Sequence, residues 1–232
     1  MASIIRMVCF ANSRRPGGHC VAGREFTDNV VGNWIRPISG RENEGVSEHE
    51  RCYADGSEPA LLDLIDISVN AACPHGHQTE NWVLDPTKRW VKVGTVPWDD
   101  LGRFSSPGGA LWIGGFQTFN GSNDRIPADR AERLPGSLML VRTRQLRLRV
   151  FVPGMHFGDN TRKVQACFTR EGIYYALLVT DPQIEREYLG KPDGEYQFGD
   201  SFMTISLGAE HTDGFCYKLV AGIMAGGGRE MA

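Results

Sequence analysis

Cys9-Phe-Ala-Asn-Ser-Arg-Arg-Pro-Gly-Gly-His-Cys-Val-Ala-Gly-Arg24 reads as the end of one strand, a loop and the start of a returning strand. The apolar residues Ile4, Ile5, Met7 and Val8 lead into it. The loop collects the Ser13 hydroxyl, the guanidiniums of Arg14 and Arg15, and the pair Gly17-Gly18. Planar guanidiniums suit phosphate or carboxylate, and glycines let backbone N–H groups come close to an anion. Neither glycine-rich phosphate fingerprint is present at this point. A structural hairpin with solvated arginines uses the same residues, so the two readings stand side by side.

On either side of this stretch, short segments rich in β-branched and aromatic residues recur between Gly, Pro, Asn and Asp. Strands are expected at 4–11, 19–26, 33–39, 61–69, 81–84 and 90–96, then at 137–141, 146–152, 164–169, 173–180, 202–207 and 216–224. In Leu146-Arg-Leu-Arg-Val-Phe151 the apolar Leu146, Leu148 and Val150 fall on one face, with Arg147, Arg149 and Phe151 on the other. The stretch between the two sets is rich in Pro, Gly and Asn, with 111–115 its one strand-like run. Two helices are expected, at 128–134 without an obvious cap and at 182–190 with Asp181 as N-cap and Pro182 as first helical residue.

This pattern predicts a mostly β chain of two tandem OB-like Greek-key barrels with few short helices. The expected divisions are an N-terminal barrel at 1–100, a linker or elaborated loop at 101–135, a C-terminal barrel at 136–225 and a flexible tail at 226–232.

The 232 residues, 41% hydrophobic and 23% charged, are ordinary for a folded protein of one large or two small domains. No apolar run reaches membrane-span length and the first residues lack a signal-peptide pattern, so a cytoplasmic protein without membrane contact is expected. Six cysteines, at 9, 20, 52, 73, 167 and 216, form no Cys-x-x-Cys pair and read mainly as buried thiols. Cys73-Pro-His-Gly-His77 gathers metal-ligating types but lacks regular zinc spacing, and no metal or cofactor is expected.

A net charge of −3 argues against a protein that coats nucleic acid by bulk electrostatics. The distribution is uneven: eight acids face two bases in 41–66, whereas seven bases face one acid in 142–170. The second stretch can form a local cationic face, and solvated strand arginines are the ordinary alternative.

Ala11-Asn-Ser-Arg-Arg-Pro-Gly-Gly-His-Cys-Val-Ala-Gly23, Trp34-Ile-Arg-Pro-Ile-Ser39, His77-Gln-Thr-Glu-Asn-Trp82, Ser206-Leu-Gly208 and Tyr217-Lys-Leu-Val-Ala-Gly222 together resemble the bacterial dual OB-fold domain proteins. The resemblance spans nearly the whole chain. It implies two OB folds in tandem, a bacterial conflict or defence setting, and binding of nucleic acid or a nucleotide.

Two further motifs bear on function. Trp34 and Arg36 share a strand face, where ring and guanidinium can hold a base. The ordinary reading has Trp34 closing the barrel and Arg36 pairing with an acid of the 42–66 run. In the other motif, Gln78 and Asn81 can read a base edge or hold a sugar, and His77 with Glu80 can move a proton; turn and capping roles explain Gln78 and Asn81 equally. The combined expectation is a non-catalytic module whose first half forms one pocket from Ser13, Arg14, Arg15, Gly17, Gly18, Trp34, Arg36, His77, Gln78, Glu80 and Asn81. A second nucleic-acid surface is expected at Arg147, Arg149 and Phe151. Two rival classes remain: an adaptor docking on a partner effector protein through 112–119, and a metal-dependent nuclease or nucleotide hydrolase using Asp63 and Asp66, though these read more simply as strand residues.

Overall fold

A computed structural model describes residues 2–15, 17–41, 45–154 and 158–226. The chain divides into two units, one of residues 1–104 with 135–137, the other of residues 105–134 with 138–232. The expected linker at 101–135 is thus shared between them, and beyond Gly226 the expected tail lies outside the described residues.

In the first unit, β1 (Ser3–Arg15), β2 (Gly18–Thr27) and β3 (Val30–Ile38) form an antiparallel meander. The short helix α1 (Glu48–Arg51) leads to β4 (Asp63–Ala72) and β5 (Asn81–Leu84). β5 pairs parallel to β3 and antiparallel to β4, and β4 returns to β1, so five strands close into a barrel. This first–second–third–fifth–fourth order with a helix after the third strand is that of an OB fold. β6 (Val91–Thr95) hangs on β4 as a sixth strand. Alternate residues Met7, Cys9, Ile65 and Ile67 point inward with Ile35 and Trp90. α1 was not anticipated, although Ser47-Glu-His-Glu50 is a capping box: Ser47 Oγ accepts from the Glu50 N–H and the Glu50 carboxylate accepts from the Ser47 N–H.

The second unit opens with β7 (Arg125–Pro127) and the helical turn α2 (Ala128–Ala131), which has no side-chain cap. β8 (Leu138–Phe151), β9 (Lys163–Arg170), β10 (Ile173–Val179), α3 (Pro182–Leu189), β11 (Gly194–Glu210) and β12 (Phe215–Ala225) repeat the OB order. β12 pairs parallel to β10 at Leu178 and Val179, and β11 closes on β8. β7 extends the sheet from β12. Leu146, Leu148 and Val150 point into the core, where α3 contributes Ile184 and Tyr188. Asp181 caps α3 as expected, accepting from the Gln183 and Ile184 N–H groups.

Two strand expectations need correction. The segments expected at 137–141 and 146–152 are one strand, because register shifts in β11 around Gly199 let the polar residues between them stay in the ladder. Residues 111–115 form no strand; Trp112 and Gly115 take positive φ there, which breaks an extended run. Among the described residues, no helix is long and apolar enough to cross a membrane.

Candidate functional site

The first barrel uses most of its expected ligand residues for its own frame. β1 runs to Arg15 and β2 begins at Gly18, so Ser13, Arg14 and Arg15 are ladder residues opposite Cys20, His19 and Gly18 and not loop residues. Pro16 lies outside the described residues. Ser13 is buried and its Oγ donates to the Cys20 carbonyl at 3.4 Å. Gly18 adopts φ 152° and a Cβ there would lie 2.6 Å from the Val46 carbonyl oxygen. Its glycine is required by the chain passing at 45–46, where His19 and Val46 exchange backbone hydrogen bonds. Arg14 is exposed and Arg15 half-buried. His19 is bonded through Nδ1 to Asn12 Oδ1 at 3.0 Å, and burial, with Arg51 nearby, lowers its pKa.

Arg36, Glu80 and Asn81 do come together, but in the interior. Arg36 lies opposite Asn81 in the parallel β3–β5 pair. Its guanidinium reaches Glu80 Oε1 at 3.2 Å, Ser137 Oγ at 2.8 Å and Asn81 Oδ1 at 3.4 Å. Ser137 Oγ also donates to Glu80 in a short bond. The four residues are 0–6% exposed, too deeply set to meet a ligand. The acid that pairs with Arg36 is Glu80 and not one from the 42–66 run. His77 is buried as well, within a turn in which His75 and Gln78 exchange backbone bonds; Gln78 is half-buried.

Trp34 is half-buried and takes the Arg24 guanidinium over its ring at 5.6 Å, so its cationic neighbour comes from β2. The outer face beside it is occupied. Phe104, from the 3-10 turn Trp98–Phe104, meets Phe10 and Phe26 edge-on at 5.2 and 5.1 Å. Phe10 and Phe104 are wholly buried. The second- and third-strand surface, the usual contact face of an OB barrel, is therefore covered in the first unit by Phe104 and by Ser137.

The second barrel leaves that face open. Arg147 lies opposite Cys167 and Gln197, and Cys167 opposite Ala176, so one row crosses β11, β8, β9 and β10. A groove of about 600 Å³ runs over it, lined by Arg144, Gln145, Arg147, Thr169, Tyr174 and Gln197. Arg147 and Glu195 form an exposed pair at 3.1 Å, which contributes little in water and yields readily to a stronger anion. Arg149 stacks over Phe151 at 4.3 Å. Burial and its bond to Cys167 push Tyr174 up to about 12, and burial raises the Cys167 thiol. Both therefore stay neutral near pH 7, and the local positive charge is that of the arginines. Of the surface expected from sequence, Arg147 lines this groove and Arg149 and Phe151 lie outside its lining, whereas Arg144, Tyr174 and Gln197 line it without having been singled out. Tyr174 alternates with the inward Tyr175, a period-two signal that becomes informative once β10 is known to lie beside β9.

Cys9, Cys52, Cys167 and Cys216 are buried, Cys20 is half-buried and Cys73 is exposed. Among the described residues no three His, Cys, Asp or Glu side chains gather at a spacing fit to hold a metal.

A family model, described as the dual OB-containing domain, matches residues 5–223. No curated protein and no solved structure matches the chain. The two barrel topologies and a family match spanning nearly every residue agree, and the chain belongs to the dual OB-containing domain family.

Proposed function

We propose that the protein is a non-catalytic nucleic-acid- or nucleotide-binding module that engages its ligand on the outer face of β8, β9 and β10. One observation carries this reading: an open polar groove lined by Arg144 and Arg147 of β8 and by Tyr174 of β10, which runs onto the second- and third-strand face that OB barrels use for oligonucleotides. Guanidiniums supply phosphate contacts and an exposed tyrosine supplies a stacking face, the pairing typical of single-strand binding. In the first barrel we assign Ser13, Arg36, His77, Glu80 and Asn81 to the framework. Arg14, Arg15, Trp34 and Gln78, which keep accessible surface, are left as secondary contacts.

The test is a salt titration of binding to labelled single-stranded DNA, single-stranded RNA and duplex, with free nucleotides as competitors. Binding that weakens steeply with salt is expected, with a slope of about −0.7 per phosphate contacted on single strands. Arg144→Glu/Arg147→Glu is expected to lower affinity at least ~tenfold with an unchanged melting temperature, since both side chains are exposed. An unaltered affinity in that variant overturns the assignment. Silence towards every polymer and nucleotide, with capture of a defined effector protein, replaces it by the docking reading.

A further inference from the structure

Beside the groove lies a second cavity, of about 190 Å³, lined by Phe119, Phe151, Pro153, Leu178, Tyr217 and Leu219. We propose that it receives an unstacked nucleobase, with Phe119 as the stacking ring; the inference rests on the binding face assigned above and names what that face recognises.

The two depressions share one surface. Arg149 lies opposite Gln165, Gln165 opposite Leu178 and Leu178 opposite Leu219, a row two residues along from Arg147, Cys167 and Ala176. Two residues of strand separate the rows by about 7 Å, the scale of the reach from a phosphate to the base of the same nucleotide. Phe151 lines the cavity and carries the Arg149 guanidinium over its ring, and Arg149 stands two residues along β8 from Arg147 of the groove. The cavity wall is mainly apolar, with Asp124 and Lys218 also lining it, and the Arg149 guanidinium lies over Phe151 at its edge. A flat ring bearing an anion satisfies both, which an aliphatic side chain or an uncharged ligand does not.

Phe119 is 81% exposed, yet the loop that carries it is locked. Asp124 accepts from the Thr118 N–H at 2.8 Å and from Thr118 Oγ1 at 2.6 Å, and Thr118 Oγ1 accepts from the Gly121 N–H at 2.9 Å. Asn120 Nδ2 donates to the Pro153 carbonyl and the Asn120 carbonyl accepts from Gln165 Nε2, both at 2.8 Å. Ser122 pairs with the β10 edge at Ala176, and Lys218 Nζ donates to the carbonyls of Ile113 and Asn123 at 2.8 Å. A large apolar ring held in water by so many bonds is pre-organised, and pre-organisation favours binding because little freedom remains to be lost.

The experiment compares a short single-stranded oligonucleotide, an abasic strand of equal length, a mononucleotide and ribose 5-phosphate, on the full chain. Wild type is expected to prefer the base-bearing member of each pair by ~tenfold or more, the range for one stacked base. Phe119→Ala is expected to erase that preference and leave affinity for the abasic strand unchanged, while Phe119→Trp retains it. Arg147→Glu is expected to weaken base-bearing and abasic strands alike. Preference in the oligonucleotide pair alone identifies a strand as the source of the base; preference in both pairs admits the free nucleotide. Salt-dependent binding with no base preference, or a preference that survives Phe119→Ala, overturns the cavity assignment and leaves the groove standing. No binding of any probe by wild type overturns both.

Discussion

Arg36 shows how one side chain settles between two roles. Its position in Trp34-Ile-Arg-Pro-Ile38 was legible as a strand residue sharing a face with Trp34, but its fate depended on Glu80 and Ser137, residues 44 and 101 positions away. No local pattern encodes such a meeting. Arg36→Met strands a buried carboxylate and is expected to destabilise by about 3–5 kcal/mol, whereas Arg36→Met/Glu80→Leu removes both charges and is expected to lose less than the single variant. Urea denaturation of the pair decides this, and a double variant worse than the single one refutes it. His19 supplies a pH dependence. Burial and Arg51 lower its pKa in the folded state, so the unfolded chain takes up the proton first as pH falls through the usual histidine range near ~6.5. Stability therefore declines on acidification through that window, and His19→Gln is expected to flatten the curve; superimposable pH profiles of the two proteins contradict it.

At the level of elements, strand faces and the cap of α3 were legible, whereas the capping box that opens α1 was not picked out. The alternation in Leu146–Phe151 assigned each side chain to its face because a strand's period is two whatever its neighbours are. The Asp181-Pro182 start of α3 was equally clear from local chemistry. The 13–18 stretch left two readings open because arginines and glycines serve a hairpin and an anion loop alike; the chain at Val46, against which Gly18 packs, is distant in sequence. Asp181 has a further duty that the capping signal does not reveal: Oδ2 accepts from the Ile223 N–H of β12 at 3.0 Å. Asp181→Ala therefore removes the cap and orphans a buried donor in another strand, and a loss of about 2–4 kcal/mol is expected by chemical denaturation. A loss of the size of an ordinary cap, about 1 kcal/mol, would show that the β12 contact contributes nothing.

On the scale of the whole molecule, the repeat of one topology was legible and the division of labour within it was not. Each half announces a set of short strands, but only the fold reveals that Phe104 and Ser137 cover in the first barrel the face left open in the second. Both barrels also close by joining their first strand to their fourth, β1 to β4 and β8 to β11, so no barrel is complete until sequence-distant segments meet. Refolding from urea is expected in milliseconds to seconds, with no barrel signal in the microsecond range typical of helical bundles. Stopped-flow tryptophan fluorescence measures it.

Ser137 has a practical corollary for anyone wishing to study one half of the protein. Residues 135–137 belong with the first unit although 105–134 belong with the second, so the two are interleaved along the chain. A polypeptide ended after Phe104 leaves Arg36 and Glu80 without their shared hydroxyl, and one started at Leu138 lacks the Thr118–Asp124 loop and its phenylalanine. No single scission yields both halves whole; a free-standing first half needs the 135–137 segment grafted back, and a free-standing second half has to begin near Ser105.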